Sequence, residues 1–333
     1  MTQIRIWAYD GILASGVSGP GDVFAAANHL MGRADARPPI RWRVESPDGR
    51  PVRTASGQII AVDGAIDPIR PAEAILLGAP FVGDMEAFLA RTALVESLGA
   101  AVRRAHGCRT IIATYCTGAY LLAEAGLLDE RVATTHWAWR DDFARRYPRV
   151  SLRAQEILTE QDNILCGGAV TSFLMLAIRL VEKLRGQEIA ALTARTLLID
   201  TNRVSQLSYA SLVAEHGHGD RLVARAEALM EAGLNGEFSL SQLAAELAVS
   251  ERTLHRRFKQ ATGRSPLAYL QLLRVELAKR LIAAGQDTID TIGLRVGYGD
   301  VGAFRQVFRR ETGLSPRDYQ RRFARSILPG APG

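Results

Sequence analysis

The sequence predicts a two-domain chain: an α/β sandwich with a mostly parallel sheet, then an all-α domain of two tandem helix-turn-helix units. Three observations carry this. Short apolar runs alternate with helical patterns through the first half, the end of the chain is helical and internally repeated, and the net positive charge is confined to that repeat. At 333 residues, 47% of them hydrophobic, the chain is long enough for two cores.

In the first half, Ile4–Ala8, Trp42–Val44, Ala74–Leu77 and Thr110–Thr114 read as buried strands. Helical patterns occupy Gly21–Met31, Met85–Ala105 and Gly118–Ala125 between and after them. Strands alternating with helices imply a parallel sheet covered on both faces. A hairpin is expected around Gln161-Asp162-Asn163, joining Glu156–Glu160 to Ile164–Cys166, with a helix from Thr171 to about Leu184. Gly186 breaks the pattern. The expected organisation is a first domain over 1–185, a linker region with its own helix over 186–220, and a helical domain over 221–325. His216 and His218 fall in a glycine-rich stretch that reads as loop, and no metal site or cofactor is expected there or elsewhere.

The helical domain repeats itself. Leu254-His-Arg-Arg-Phe258 through Thr262-Gly263-Arg-Ser265-Pro266 to Tyr269 matches Phe304-Arg-Gln-Val-Phe308 through Thr312-Gly313-Leu-Ser315-Pro316 to Tyr319, at an offset of 50. Leu254 and Phe258 are four apart, as are Phe304 and Phe308, so each pair shares a helix face that can be buried. Gly263 and Gly313 suit a left-handed C-cap, and Ser-Pro opens the next helix as N-cap and first helical residue. Upstream, Leu240, Leu243 and Leu247 line a short helix, as do Ile289, Ile292 and Val296. Turns at Ala248-Val249 and Gly297-Tyr298 follow, with Ser250 and Asp300 capping the second helix of each unit.

The exposed positions decide what such units do. Arg252, His255 and Arg256 point away from the first apolar face, with Arg257 and Lys259 beside them. Arg305, Gln306, Arg309 and Arg310 do the same in the second unit. Arginine can bind guanine bidentately and glutamine can pair with adenine, while Arg257, Lys259 and Arg310 suit phosphate. Between Gly236 and Arg325 there are 16 basic against 9 acidic side chains, and 25 against 26 in the rest. A basic module beside a neutral one points to a polyanion, and double-stranded DNA is the expected partner. The bland alternative is a helical bundle with an arginine-rich solvated face.

This domain resembles the AraC type of regulator domain, with two helix-turn-helix units joined by a long helix at about Pro266–Ala284. The resemblance implies two recognition helices in successive major grooves. Gly302 replaces the larger residue usual early in the second recognition helix, so the first unit is expected to carry more base specificity.

In the first domain, Thr110-Ile-Ile-Ala-Thr114-Tyr115-Cys116-Thr117-Gly118 sets a cysteine between a strand and a helix, the shape of a nucleophile elbow. The helix N-terminus would favour the thiolate and offer N–H groups to an oxyanion; the alternative is a buried cysteine in a tight turn. With Ser18–Phe24 and Ala133-Thr134-Thr135-His136-Trp137, this half resembles the PfpI-like, class I glutamine amidotransferase-like fold, a flavodoxin-like sandwich. Fused to an AraC-type domain, it resembles the GlxA family of transcription regulators. By that resemblance Asp22 supplies the acid near the cysteine, Gly78 lies beside the oxyanion site, and Cys116, Thr117 and His136 line a ligand pocket.

Departures argue against turnover. Thr117 stands where PfpI-type proteases carry histidine, no His-x-Glu marks an amidotransferase triad, and the acid of isocyanide hydratase is replaced around Gly16. The expected function is therefore a sequence-specific, ligand-responsive regulator with no catalytic residues. Its partners would be DNA, a small-molecule effector, RNA polymerase and a second copy of the chain. The alternative is a cysteine-dependent hydrolase or hydratase with an accessory DNA-binding tail. With three scattered cysteines, no signal segment and no apolar run long enough for a membrane helix, a cytoplasmic protein without membrane contact is expected.

Overall fold

The computed structural model of the chain describes residues 3–32, 37–201, 206, 220–236 and 238–323. They form two compact units, the first ending at Gln206. In the first unit the strands are β1 (Gln3–Trp7), β2 (Arg41–Glu45), β3 (Val52–Arg53), β4 (Ile59–Ile60), β5 (Ala74–Leu77), β6 (Ile111–Tyr115), β7 (Val132–Ala133), β8 (Ser151–Leu152), β9 (Leu158–Gln161) and β10 (Ile164–Gly167). Its helices are α1 (Ser15–Met31), α2 (Met85–Leu89), α3 (Thr92–Gly107), α4 (Ala119–Glu124), α5 (Arg140–Arg146), α6 (Ser172–Arg185) and α7 (Gln187–Thr196).

Six strands pair in the order β2-β1-β5-β6-β10-β9, all parallel except the hairpin β9–β10. β5 is apolar and fully buried along its length, as a central parallel strand covered on both faces must be. The chain runs outward from β1 to β2 and then back across the sheet from β5 to β6. Right-handed crossovers therefore put α1 and α3 on opposite faces and leave a reversal of strand order between β1 and β5. Helices α1, α6 and α7 pack together, and so do α3 and α4. The hairpin turns at Asp162 and Asn163, both with positive φ as a two-residue type I′ turn requires.

Three expectations shift. The helix foreseen over Met85–Ala105 is two helices, because Arg91 leaves the helical region at ψ 58 and Asp84 caps the first of them. The helix α1 starts at Ser15, six residues earlier than its pattern suggested. Helix α7 packs on α1 and α6 as part of the first unit, whereas the sequence reading set it in the linker. His216 and His218 lie outside the described residues.

The second unit contains α8 (Arg221–Ala232), α9 (Leu240–Glu246), α10 (Glu251–Thr262), α11 (Pro266–Ala284), α12 (Ile289–Arg295), α13 (Val301–Thr312) and α14 (Pro316–Phe323). It has two apolar cores that divide along α11. Tyr269, Leu270 and Leu273 join Leu243, Leu254 and Phe258 in one. Val275, Ala278 and Ile282 join Ile292, Phe304 and Phe308 in the other. Arg274 sits at the division. It donates to Leu234 O at 3.0 Å and Gly236 O at 2.6 Å, and its guanidinium lies over the Tyr298 ring, 5.4 Å from the centroid.

Candidate functional site

The carboxyl ends of β1, β5 and β6 converge on Cys116. Its φ of 53° is in the left-handed region that side chains rarely adopt. A 3₁₀ turn, Cys116–Gly118, then leads into α4. Gly118 is required there: a Cβ would stand 2.0 Å from Thr114 Oγ1, which itself donates to Leu77 O at 3.0 Å. The Thr117 hydroxyl donates to Pro80 O, and the Thr135 hydroxyl donates to Cys116 O at 3.0 Å. The strained turn is thus held by hydroxyls from both sides.

The thiol is buried, and burial pushes its pKa up to about 11, against the smaller opposing effect of hydrogen bonds from Thr117. That reverses the expectation of a stabilised thiolate. Desolvation disfavours the charged form more than the backbone and hydroxyl hydrogen bonds from Thr117 favour it.

The predicted neighbours separate. Gly78 lies between Leu77 and Ala79, the latter beside Gly118, but its own groups are engaged. Its N–H donates to Trp7 O at 2.9 Å, and its carbonyl accepts from Tyr9 Oη at 2.7 Å, so it offers no donor to an oxyanion. His136 is half-buried, and burial lowers its pKa. Its Nδ1 accepts from the Ala138 N–H at 3.3 Å, capping the turn Trp137–Trp139, and among the described residues no carboxylate bonds to the ring to orient it as a base.

Asp22 is not part of the site. It lies on the exposed face of α1 with Ser15, Ser18 and Ala25, while Gly16 faces inward. Six residues advance a helix by about 240°, so positions 16 and 22 cannot share a face. A Cβ on Gly16 would fall 1.7 Å from Tyr115 Oη, so the tyrosine fills the space an acidic side chain at 16 would need. The acid that the resemblance implies is therefore not in place: Asp22 is on the exposed face and position 16 is glycine.

In the second unit each recognition helix is capped as the sequence implied. Ser250 accepts from Thr253 N–H at 3.2 Å, and Asp300 from Gly302 and Ala303 N–H at 2.9 Å each. Gly263 and Gly313 end the helices at φ 72° and 74°. Arg252, His255, Arg256 and Lys259 are exposed on α10, and Arg305, Gln306, Arg309 and Arg310 on α13. A cleft of about 800 Å³ is lined by the last four together with Arg317. Arg257 leaves this face. It is half-buried and forks onto Asp220, the N-cap of α8, at 2.9 and 2.5 Å. Arg305 pairs with Asp290 at 2.6 Å, and Arg310 with Glu311 and Gln271.

Residues 3–183 match the DJ-1/PfpI family and residues 243–322 a helix-turn-helix domain. The HTH-type transcriptional regulator ArgR of Pseudomonas aeruginosa is 30% identical over 69% of this chain and 70% of its own. The chain belongs to the DJ-1/PfpI family, in its branch of HTH-type transcriptional regulators. Two further relatives of the same organism are each 27% identical. CdhR matches over 87% of this chain and 82% of its own, and GbdR over 88% and 77%. A putative transcriptional regulator protein from Vibrio parahaemolyticus shares the fold, with a TM-score of 0.52 at 18% identity, over 59% of this chain and 98% of that one. Among the described residues no helix is long and apolar enough to cross a membrane, and no group of three or more His, Cys, Asp and Glu could hold a metal ion.

Proposed function

We propose that this transcription regulator reads DNA with α10 and α13 and senses a small polar molecule beside Cys116 without transforming it. One observation carries the first half of this reading. Two capped helices of one duplicated scaffold each turn an apolar pair inward and a row of cationic and amide side chains outward. Arg252, His255 and Arg256, with Lys259 for phosphate, form one surface, and Arg305, Gln306 and Arg309, with Arg310 for phosphate, the other. Arg257 is left out, because its guanidinium is engaged by Asp220.

The test is binding of the full chain to a duplex selected from a random library. Affinity should fall linearly with the logarithm of salt, and Arg256→Ala and Arg305→Ala should each weaken binding at a few base positions. Unchanged binding in both variants overturns the assignment.

The non-catalytic reading of Cys116 is supported by its protonated, buried thiol and by the missing acid. Alkylation by iodoacetamide at pH 8 should label the exposed Cys108 long before Cys116. Rapid labelling of Cys116, or turnover that Cys116→Ala abolishes, would favour the hydrolase reading. The regulator reading also includes a homodimer formed through the first unit and contact with RNA polymerase at the promoter. Sedimentation of the full chain tests the dimer, and abortive initiation with purified polymerase tests the contact.

A further inference from the structure

The first unit contains a slot that is filled by its own last residue. Gln206 is buried although it stands where the chain leaves the unit. Its Nε2 donates to Ala154 O at 2.6 Å and to Thr135 O at 2.8 Å, with the Thr134 hydroxyl and Glu156 O farther out at 3.3 and 3.4 Å. Its Oε1 accepts from the Trp137 N–H at 3.2 Å, and its own N–H donates to Gln155 O at 3.0 Å. Gly168 makes room: a Cβ there would stand 2.3 Å from Nε2.

The slot's chemistry is selective. Carbonyl oxygens face one end of the side chain and an N–H faces the other, the pattern a neutral carboxamide satisfies. A carboxylate would set its lone pairs against those carbonyls, and an alkyl group would leave them unpaired. The slot also abuts the cysteine turn. Thr135 gives its carbonyl to Gln206 and its hydroxyl to Cys116 O, and His136 lies between Thr135 and Trp137, the two residues that hold the carboxamide.

We propose that this slot is a docking site for the chain's own Gln206. Its occupancy is the contact through which the Cys116 turn controls the tether to the DNA-binding unit. A ligand that displaces Thr135, His136 or Trp137 removes two of the carboxamide's partners at once. The first unit then loses its anchor at Gln206, which changes the effective concentration of one unit around the other. The proposal rests on the reading of the Cys116 turn as the sensing site.

The experiment uses the full chain and needs no ligand. Trypsin cleavage after Arg203, three residues before Gln206, is followed under native conditions in wild type, Gln206→Ala, Gln206→Glu and Thr135→Val. Thr135→Val keeps the carbonyl that Gln206 uses and deletes the hydroxyl that reaches Cys116. Both Gln206 variants should be cut about tenfold faster, as loss of one or two net buried hydrogen bonds implies. Their circular dichroism should match wild type. Thr135→Val should also be cut faster, and the double variant Thr135→Val/Gln206→Ala no faster than Gln206→Ala alone.

Thr159→Val, which deletes a buried hydroxyl that makes no hydrogen bond, is the control and should be cut at the wild-type rate. An unchanged rate in both Gln206 variants, or additive effects of Thr135→Val and Gln206→Ala, overturns the proposal while leaving the DNA-binding reading intact. If cleavage behaves as expected but affinity for the selected duplex is the same in all variants, docking stands. What then fails is the reading of the first unit as a sensor for the second.

Discussion

The two halves of the DNA-binding unit share a scaffold and differ in what they do with it. The helix ends and the ring packing behind them repeat closely. Thr262 donates to Phe258 O at 2.8 Å and accepts from Arg264 N–H at 3.2 Å; Thr312 donates to Phe308 O at 2.7 Å and accepts from Leu314 N–H at 3.2 Å. Phe258 meets Tyr269 edge-on at 5.2 Å, and Phe308 meets Tyr319 edge-on at 5.4 Å.

The outward faces diverge. In the first half Arg256 reaches, among the described residues, only Gln260 of its own helix, at 3.3 Å, whereas in the second Arg305 is held by Asp290 and Arg310 by Gln271 and Glu311. The turns diverge too. The first passes through Ala248 at φ 54°; the second has one more residue and passes through Gly297 at φ 88°, against Arg274. A buried scaffold tolerates little change, while an exposed face can be retuned by one acidic neighbour.

The largest effect should come from the cores, and it should fall on one half at a time. Phe258→Ala and Phe308→Ala each delete a fully buried ring and should cost about 3–5 kcal/mol. Because the two apolar clusters divide at Arg274, hydrogen exchange should rise first in α9–α10 for one variant and in α12–α13 for the other. Equal loss of protection in both halves would show that they fold as one cooperative core.

The recognition faces come next. Arg256→Ala should cost about 1–3 kcal/mol of discrimination at its base, the worth of a bidentate arginine contact. Arg305→Ala should cost less, because Asp290 already takes part of that guanidinium's hydrogen-bonding capacity. Asp290→Asn should move Arg305 toward the Arg256 value. Binding to single-base variants of the selected duplex measures all three, and an Arg305→Ala effect larger than that of Arg256→Ala would break the proposed asymmetry.

The turns should respond with opposite signs. Ala248→Gly relieves a left-handed alanine and should stabilise by about 0.5–1 kcal/mol. Gly297→Ala imposes the same conformation on a residue with a Cβ and presses that Cβ to 2.7 Å from Arg274 Nη2, so it should destabilise by about 1 kcal/mol or more. Urea midpoints of the full chain, read by a probe in each half, give both values.

What the sequence made legible follows from how local the physics is. Thr-Gly-x-Ser-Pro reports a C-cap and the next N-cap within five residues, so both repeats and the span Pro266–Ala284 could be read from it. Tyr115-Cys116-Thr117-Gly118 reported a strained strand–helix turn for the same reason. Asp22 was misplaced because its face depends on where α1 starts, and no local signal marks Ser15: the cap position is Ala14, which makes no side-chain cap. Arg257 was misplaced because one residue is about 100° on a helix, and Asp220, 37 residues away, decides which neighbour is captured. Gln206 was invisible, since its partners come from 50 to 72 positions upstream.

The smallest expected difference concerns acid. Asp300 caps α13, and the N–H groups of Gly302 and Ala303 that it accepts hold its carboxyl below the usual carboxylate range. The folded value is depressed, so its contribution is present above the unfolded value of about 3.9 and is lost as pH falls through the folded one. Its counterpart on α10, Ser250, does not titrate. Lowering the pH from 5 to 3 should therefore fray the start of α13 more than the start of α10. Amide exchange in peptides covering 300–306 and 250–256, corrected for intrinsic rates, would detect it. Carboxylates elsewhere in the unit, Asp220 and Asp318 among them, titrate in the same window, so the decisive measurement is the exchange of caps. Asp300→Ser should abolish the excess fraying of α13, and Ser250→Asp should bring it to α10. If the acid response stays with α13 in both variants, it belongs to some other carboxylate and the two caps are equivalent after all.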